Sequence, residues 1–254
     1  MLCRDTINNY FGEKKVMNNR FRKNPILQYE SRLDTYPNTI TPAKNHIPDW
    51  YKKIPLWADN EFFKIDRKDT IKRTVKACVP FLEAFTLGYI ITLPYDLYIK
   101  MQNGNPVIVW PGAVQNAPGV RDSVAHEKLV PFGHHKIEFT WNYCVAYTIP
   151  KGYSAIVTHP LNRHDLPFTT VTGVVDGGLV LYAHGKLPFY IKKDFEGLIP
   201  QGTPIAQIIP FRQENWFAKL TKGILAKGDL HNEHTGMVFK GWYKNAFWKK
   251  KRYE

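Results

Sequence analysis

Apolar and polar positions alternate through the middle of the chain, and the alternation predicts strands. The run Tyr153-Ser154-Ala155-Ile156-Val157-Thr158 enters from the turn Pro150-Lys151-Gly152 and is rich in the β-branched residues that suit a pleated, half-buried surface. Phe168 to Asp176 continues the pattern up to Gly177-Gly178, and Leu179-Val180-Leu181-Tyr182 resumes it, so two apolar runs around a glycine pair predict a hairpin. Gly202-Thr203-Pro204 opens a further strand through Ile205-Ala206-Gln207-Ile208-Ile209. Upstream, Tyr89 to Leu93 and Leu97 to Met101 read as strands, and Asn103-Gly104 before Val107-Ile108-Val109-Trp110 is the strongest hairpin signal in the chain. Pro111 to Pro131 reads as a long loop, and Ile137 to Ile149 as one long strand or a strand pair.

Helical periods are few. Ile71, Val75 and Cys78 fall on one helical stripe that Pro80 must interrupt, and Pro80 then opens a second short helix through Phe85 with Gly88 as its stop. Trp216, Leu220 and Ile224 predict a last short helix, limited by Gly223 and Gly228. Before residue 67 the chain is different: a basic stretch with Lys14, Lys15, Arg20, Arg22 and Lys23 precedes a segment punctuated by Pro37, Pro42, Pro48 and Pro55. Those prolines exclude a long helix and predict an extended chain lying over the domain, anchored by Tyr29, Tyr36, Trp50, Tyr51 and Trp57. Three parts follow: a Pro- and aromatic-rich basic arm over 1–66, a β-rich core over 67–211, and a short helix with a basic-aromatic tail over 212–254.

Charge narrows the partners. With 35 Lys and Arg against 22 Asp and Glu the formal charge is +13, which favours nucleic acid or another acidic surface. Cys3, Cys78 and Cys144 are scattered and odd in number, so they suggest neither a disulfide framework nor a Cys-x-x-Cys metal site, and a reducing compartment fits. No apolar run approaches the ~18 residues that span a bilayer, so no membrane insertion is expected. No Rossmann glycine fingerprint, phosphate-cradling Gly-Lys-Ser loop or nucleophile elbow is present.

Candidate chemistry gathers in a few places. Asn162-Arg163-His164-Asp165, a polar loop between strands, offers an amide, a cation, an imidazole and a carboxylate to a phosphate or sugar; the same residues equally cap and pair with one another. Asp176 ends an apolar strand and must find partners or solvent. His134, His135, Glu138 and His159 invite comparison with the metal site of cupins, although adjacent side chains on a strand face opposite ways, so that at most one of the two neighbouring histidines joins Glu138. No cofactor is called for. In the tail, Trp242, Tyr243, Phe247 and Trp248 interleave with Lys244, Lys249, Lys250, Lys251 and Arg252. If that segment is helical, an aromatic stripe lies beside a cationic edge, either packed on the protein's own sheet or presented to a partner or to nucleic-acid phosphates.

Two resemblances belong to these residues. Gly173-Val174-Val175-Asp176 followed by Gly202-Thr203-Pro204-Ile205-Ala206-Gln207-Ile208 is similar to the paired motifs of the dUTPase and dCTP-deaminase superfamily. That likeness implies a β-clip domain in which Asp176 lies beside a deoxyribose, and it makes Asp176 and, on the neighbouring motif, Gln207 the catalytic candidates; no Gly-Arg-Ser-Ser phosphate loop stands at the expected distance. Pro48-Asp49-Trp50-Tyr51-Lys52, Gly152-Tyr153-Ser154, Leu161-Asn162-Arg163 and the same two motifs together resemble an uncharacterised family of tailed-phage and bacterial genomes. The second resemblance implies a phage protein in the virion or the host cytoplasm, whose partners are other phage proteins, further copies of itself, or nucleic acid through its basic arms. The expected fold is mainly β: an antiparallel β-sandwich or β-clip core, with a double-stranded β-helix as the alternative, a short helical pair before it, and extended arms at both ends. The expected function is non-catalytic surface binding, with a dUTPase-like nucleotide protein and a cupin-like metal enzyme as alternatives.

Overall fold

Short strands bounded by turn residues build a mainly β, antiparallel structure in the computed structural model, which describes residues 24–31, 36, 39–58, 73–112, 117–121, 127–142, 145–177, 180–181, 186–229 and 243–254. In chain order the elements are β1 (Gln28–Ser31), β2 (Ile40–Pro42), α1 (Asp49–Lys53), α2 (Val79–Thr86), β3 (Tyr89–Thr92), β4 (Leu97–Gln102), β5 (Asn105–Val109), β6 (Gly119–Val120), β7 (Phe139–Asn142) and β8 (Val145–Thr148). They continue with β9 (Tyr153–Thr158), β10 (Phe168–Thr170), β11 (Gly173–Asp176), β12 (Val180–Leu181), β13 (Lys186–Ile191), β14 (Gly197–Ile199) and β15 (Pro204–Arg212). The described strands form a five-stranded sheet in the order β11-β9-β15-β3-β2, a four-stranded one in the order β10-β13-β7-β6, and two three-stranded sheets, β1-β8-β12 and β14-β4-β5. One cluster of buried side chains from all four sheets fills the space between them.

The Asn103-Gly104 hairpin forms as its chemistry requires. Asn103 (φ 51°) and Gly104 (φ 76°) both take the left-handed backbone of a two-residue turn, and β4 pairs with β5 from Gln102↔Asn105 to Tyr98↔Val109. Burial alternates along both strands, with Leu97, Ile99 and Ile108 inside and Tyr98, Lys100, Val107 and Val109 outside. The helical pair also forms: a 3-10 turn over Val75–Ala77, capped by the Thr74 hydroxyl, leads into α2 with proline in its first turn.

Four expectations are corrected. Phe168 to Asp176 is not one strand: it crosses between sheets, with β10 on β13 and β11 on β9. The glycine pair does not close a hairpin, because β11 takes β9 as its partner while β12 pairs with β8. Gly177 is required for another reason. Its N–H donates to the Tyr153 carbonyl at 2.6 Å, and a Cβ there would collide with the backbone oxygens of Pro150 and Tyr153. The helix expected on Trp216, Leu220 and Ile224 is absent over 213–221, which is irregular and exposed; helix begins only at 224. The tail helix shrinks to one π-helical turn, Tyr243–Phe247, closed by the Trp248 N–H to the Tyr243 carbonyl at 2.8 Å, and 248–254 is irregular. Among the described residues no helix is long and apolar enough to cross a membrane. Cys78 is free and exposed, while Cys3 and Cys144 lie outside the described residues.

Proline spacing left the segment before residue 58 extended, and the structure uses two pieces of it as strands and 49–53 as the short helix α1. β1 pairs with β8 and β2 with β3, so Ile40 and Ala43 become core. Trp50 and Tyr51 pack against Phe85 of α2, with ring centroids 5.8 and 5.0 Å away. Arg73 sits over the Trp57 ring at 5.1 Å. Trp50, Tyr51 and Trp57 thus pack on their own domain, while Tyr29 is 40% exposed.

Candidate functional site

The polar loop after β9 folds inward on itself. Arg163 grips Asp165 with two nitrogens, Nε at 2.9 Å and Nη2 at 2.9 Å, and its side chain is only 13% exposed. Burial would raise the Asp165 carboxyl, but the Arg163 hydrogen bonds and charge, with a further bond from Trp50, outweigh it and hold the group below the usual range. Asn162 occupies the left-handed region (φ 59°) that lets the chain turn from Pro160 to Arg163, whose N–H donates to the Pro160 carbonyl. His164 is exposed, and its carbonyl accepts from Lys192 Nζ at 2.5 Å. Each charged partner in this loop meets another protein group.

Gln207 is committed to backbone. It is 1% exposed; its Oε1 accepts from the Leu161 N–H at 2.8 Å, and its Nε2 donates to the Ala84 and Leu87 carbonyls at 3.0 and 2.6 Å. The amide therefore closes the C-terminal end of α2 and fixes the polar loop to β15. Asp176 lies elsewhere: it pairs with Ser154 across the β11–β9 ladder, whereas Gln207 pairs with Thr158 across β9–β15. Four residues of strand separate the two rows, about 13 Å, so the two motif residues do not share a site. We expect Gln207→Met to cost about 2 kcal/mol, because one amide hydrogen and two carbonyls lose their partner. Chemical denaturation of the variant measures it, and a cost near zero would show that water replaces the amide.

His134 and His159 are likewise occupied, whereas His135 Nε2 is buried without a hydrogen-bond partner. The Thr170 N–H donates to His159 Nδ1 at 3.3 Å, so Nε2 carries the proton and donates to the Arg163 carbonyl at 3.0 Å. His134 Nδ1 donates to the Phe132 carbonyl, and its Nε2 meets Thr169 Oγ1 at 3.0 Å. Glu138 is buried; Arg121 holds one oxygen at 2.8 Å and the Tyr190 hydroxyl donates to the other at 2.7 Å. Burial first, then that bond and the Glu138 charge, push Tyr190 up to about 12. Among the described residues no three His, Cys, Asp or Glu side chains gather as a metal group.

His159 makes a pH dependence. Burial lowers its pKa from 6.5 to about 4, against the raising effect of the Arg163 carbonyl. Between those values the unfolded chain binds a proton that the folded chain refuses, so stability is fully present above pH 6.5 and declines as pH falls toward 4. The loss is up to about 3 kcal/mol at 1.36 kcal/mol per unit. Unfolding free energy measured from pH 7 to 4 should fall more steeply in the native sequence than in His159→Gln; parallel curves would refute this.

Asp176 is exposed but held. Ser154 Oγ donates to its Oδ1 at 2.7 Å, and Gln213 Nε2 donates to Ser154 Oγ at 3.0 Å and to Asp176 Oδ1 at 3.4 Å. This small group occupies the outer face of the five-stranded sheet at the end where β15 leaves it.

On the inner face at the same end an open cleft of about 690 Å³ is lined by Tyr89, Tyr153, Pro210, Tyr253, Lys250 and Arg252, with Leu27 and Glu254 among its remaining walls. The tail brings the cations there. Tyr253 packs edge-on against Tyr89 at 5.7 Å, Lys251 pairs with Glu83 at 2.8 Å, and the Tyr89 hydroxyl reaches the Glu254 carbonyl at 3.5 Å. Burial first, then the negative charges of an ionised Tyr89 and of Glu83, raise the Tyr253 pKa. Lys244, Lys249, Lys250 and Arg252 are exposed, and among the described residues none of them forms an ion pair. Trp248 is half-buried, Tyr243 and Phe247 are exposed, and Trp242 lies outside the described residues. Sequence reasoning missed Tyr89, Tyr153 and Tyr253 as one wall. Their only signal was the turn Pro150-Lys151-Gly152, which sets Tyr153 at the start of its strand.

No family model matches the chain, and no curated protein matches it. Solved structures similar to it include dUTPases of staphylococcal phages. One, a mutant dUTPase of phage phi11 of S. aureus described with a structural Mg(II) ion, is 14% identical, covers 78% of this chain and 97% of its own, and superposes with a TM-score of 0.32. Another, a mutant dUTPase of Staphylococcus bacteriophage 80alpha with dUpNHpp, is 18% identical over 50% of this chain and 88% of its own, with a TM-score of 0.24. Likeness of that degree fixes no activity here.

Proposed function

We propose that the chain is a non-catalytic bacteriophage protein that acts through surface binding, as a virion component or accessory factor, and that its cleft receives an acidic polymer, a single nucleic-acid strand. The observation that carries this reading is the pairing, in one open cleft, of the Tyr89, Tyr153 and Tyr253 rings with the exposed cations of Lys250 and Arg252. Aromatic faces take bases without regard to sequence, and cations track phosphates. The net charge of +13 supports the same partner. Fluorescence anisotropy with a labelled oligothymidylate tests it. Binding should weaken linearly in log salt, and Lys250→Ala with Arg252→Ala should flatten that slope by about 1.4, at ~0.7 per phosphate. Absence of binding at low salt overturns the reading. Mass spectrometry of purified particles then separates virion component from accessory factor.

A second reading, a dUTPase-like nucleotide protein, draws on Asp176, held by Ser154 and Gln213 at a strand end. A carboxylate so placed accepts hydrogen bonds from sugar hydroxyls. Calorimetry with dUTP and dCTP decides: micromolar binding lost in Asp176→Ala would favour it over the strand-binding reading.

A further inference from the structure

We propose that residues 213–229 form an exchange arm that seats on the outer face of the β14-β4-β5 sheet of a second copy of this chain. The arm has a fixed root. Gln213 donates from its backbone N–H to the Gly152 carbonyl at 3.1 Å and from its amide to Ser154 and Asp176, so the chain leaves the end of β15 in a set direction. Beyond the root it carries large apolar side chains into solvent: Trp216 is 88% exposed, Phe217 92%, Leu220 98% and Leu225 83%. These residues are not scattered surface apolars. Trp216 and Phe217 alone expose on the order of 350 Å², and with Leu220, Ile224 and Leu225 the arm approaches the ~800 Å² that each partner contributes to a specific interface. A monomer's largest apolar patch is typically about 300–600 Å², so the arm is built to be covered.

The same chain carries a surface that fits it. Leu198, Tyr98 and Val109 stand in one row across β14, β4 and β5, in the registers Leu198↔Tyr98 and Tyr98↔Val109, and all three are exposed. Val107 stands in the next row of the same face beside Lys100, whose Nζ lies 5.9 Å over the Tyr98 ring, and Trp110 is exposed just past the end of β5. Charge matches as well. Asp96 and Glu196, exposed at the two ends of this sheet, accept hydrogen bonds from the Gln201 and Met101 N–H groups, and among the described residues neither has an ion-pair partner. The arm brings Lys219 and Lys222 beside its apolar residues. A +13 chain that keeps acids at the rim of an apolar face is complementary to its own basic arm. Nine extended residues from the root span up to about 30 Å, enough to reach a neighbouring molecule.

Light scattering after size-exclusion chromatography of the full chain tests this. The native sequence should elute at a multiple of 29.5 kDa. Trp216→Ser with Phe217→Ser, all at exposed positions, should keep the circular dichroism spectrum and weaken self-association by roughly a hundredfold. Tyr98→Glu on the receiving face should do the same. A monomeric native chain at micromolar concentration overturns the proposal, and so does an oligomer that survives the arm variant. An oligomer lost in the arm variant but kept in Tyr98→Glu overturns the assignment of the receiving face.

Discussion

Trp141→Ala should lower stability by about 5 kcal/mol, at the top of the range for emptying a buried aromatic site. Trp141 is 1% exposed on β7, stacked on Phe189 of β13 at 3.6 Å with an 8° interplanar angle, and edge-on to Phe168 of β10 at 4.9 Å. The indole also joins two sheets. Its Nε1–H donates to Thr170 Oγ1 at 3.0 Å, and the Thr170 hydroxyl donates to the Ile205 carbonyl of β15 at 2.7 Å. Removing the ring leaves a cavity at the centre of the layer and frees one end of that chain of bonds. Trp141→Phe separates the two effects: it keeps most of the stack and loses the N–H, for about 1–2 kcal/mol. Urea unfolding of both variants measures them, with the melting temperature of Trp141→Ala lower by roughly 10–20 °C. Equal costs in the two variants would place the whole effect in the hydrogen bond and contradict the packing argument.

Gly88→Ala should cost about 4 kcal/mol, from backbone strain and a collision together. Gly88 follows α2, takes φ +71°, and a Cβ there would strike the Ile208 carbonyl of β15. Its own carbonyl accepts from the Ala43 N–H at 3.0 Å, and Ala43 is fully buried. Three segments meet at this glycine, so none can retreat without breaking the β3–β15 ladder or the contact with Ala43. Gly104 is the control. It has nearly the same φ, +76°, with nothing near its Cβ direction, so Gly104→Ala should cost only about 1 kcal/mol. Thermal unfolding of the pair checks the difference. If the two costs agree, strain at positive φ accounts for both, and the close approach contributes nothing.

The tail has a smaller but instructive place. The sequence offered two fates for its aromatic and basic residues, packing or presentation, and the structure divides the residues between them. Tyr253 and Lys251 dock on Tyr89 and Glu83, while Lys250 and Arg252 remain in solvent at the cleft and Lys249 is exposed before them. A helix would have put aromatics and cations on adjoining stripes of one element. One π turn followed by irregular chain sends Tyr253 to Tyr89 of β3 and Lys251 to Glu83 of α2 instead.

Local chemistry determined what the sequence alone could state. Asn103-Gly104 specifies its turn whatever surrounds it, because few residues tolerate two successive left-handed conformations. Proline in the first turn of α2 and glycine after it mark the helix for the same local reason, and alternation along β4 and β5 names the core face. Tertiary structure decided the rest. Phe168 to Asp176 reads as one strand, yet it divides between two sheets because β13 and β9 lie on either side of Val171 and Thr172, and partners are not written in alternation. Gly177 reads as a hairpin turn but is needed where the chain passes two carbonyls of a distant segment. Gln207 stood with Asp176 as a catalytic candidate from its motif; burial makes its amide a clamp on α2 and the polar loop. The cleft joins Leu27, Tyr89, Tyr153 and Arg252, four positions that no periodicity relates, since sheet pairing over long sequence separations and the docking of the tail on Tyr89 and Glu83 bring them together.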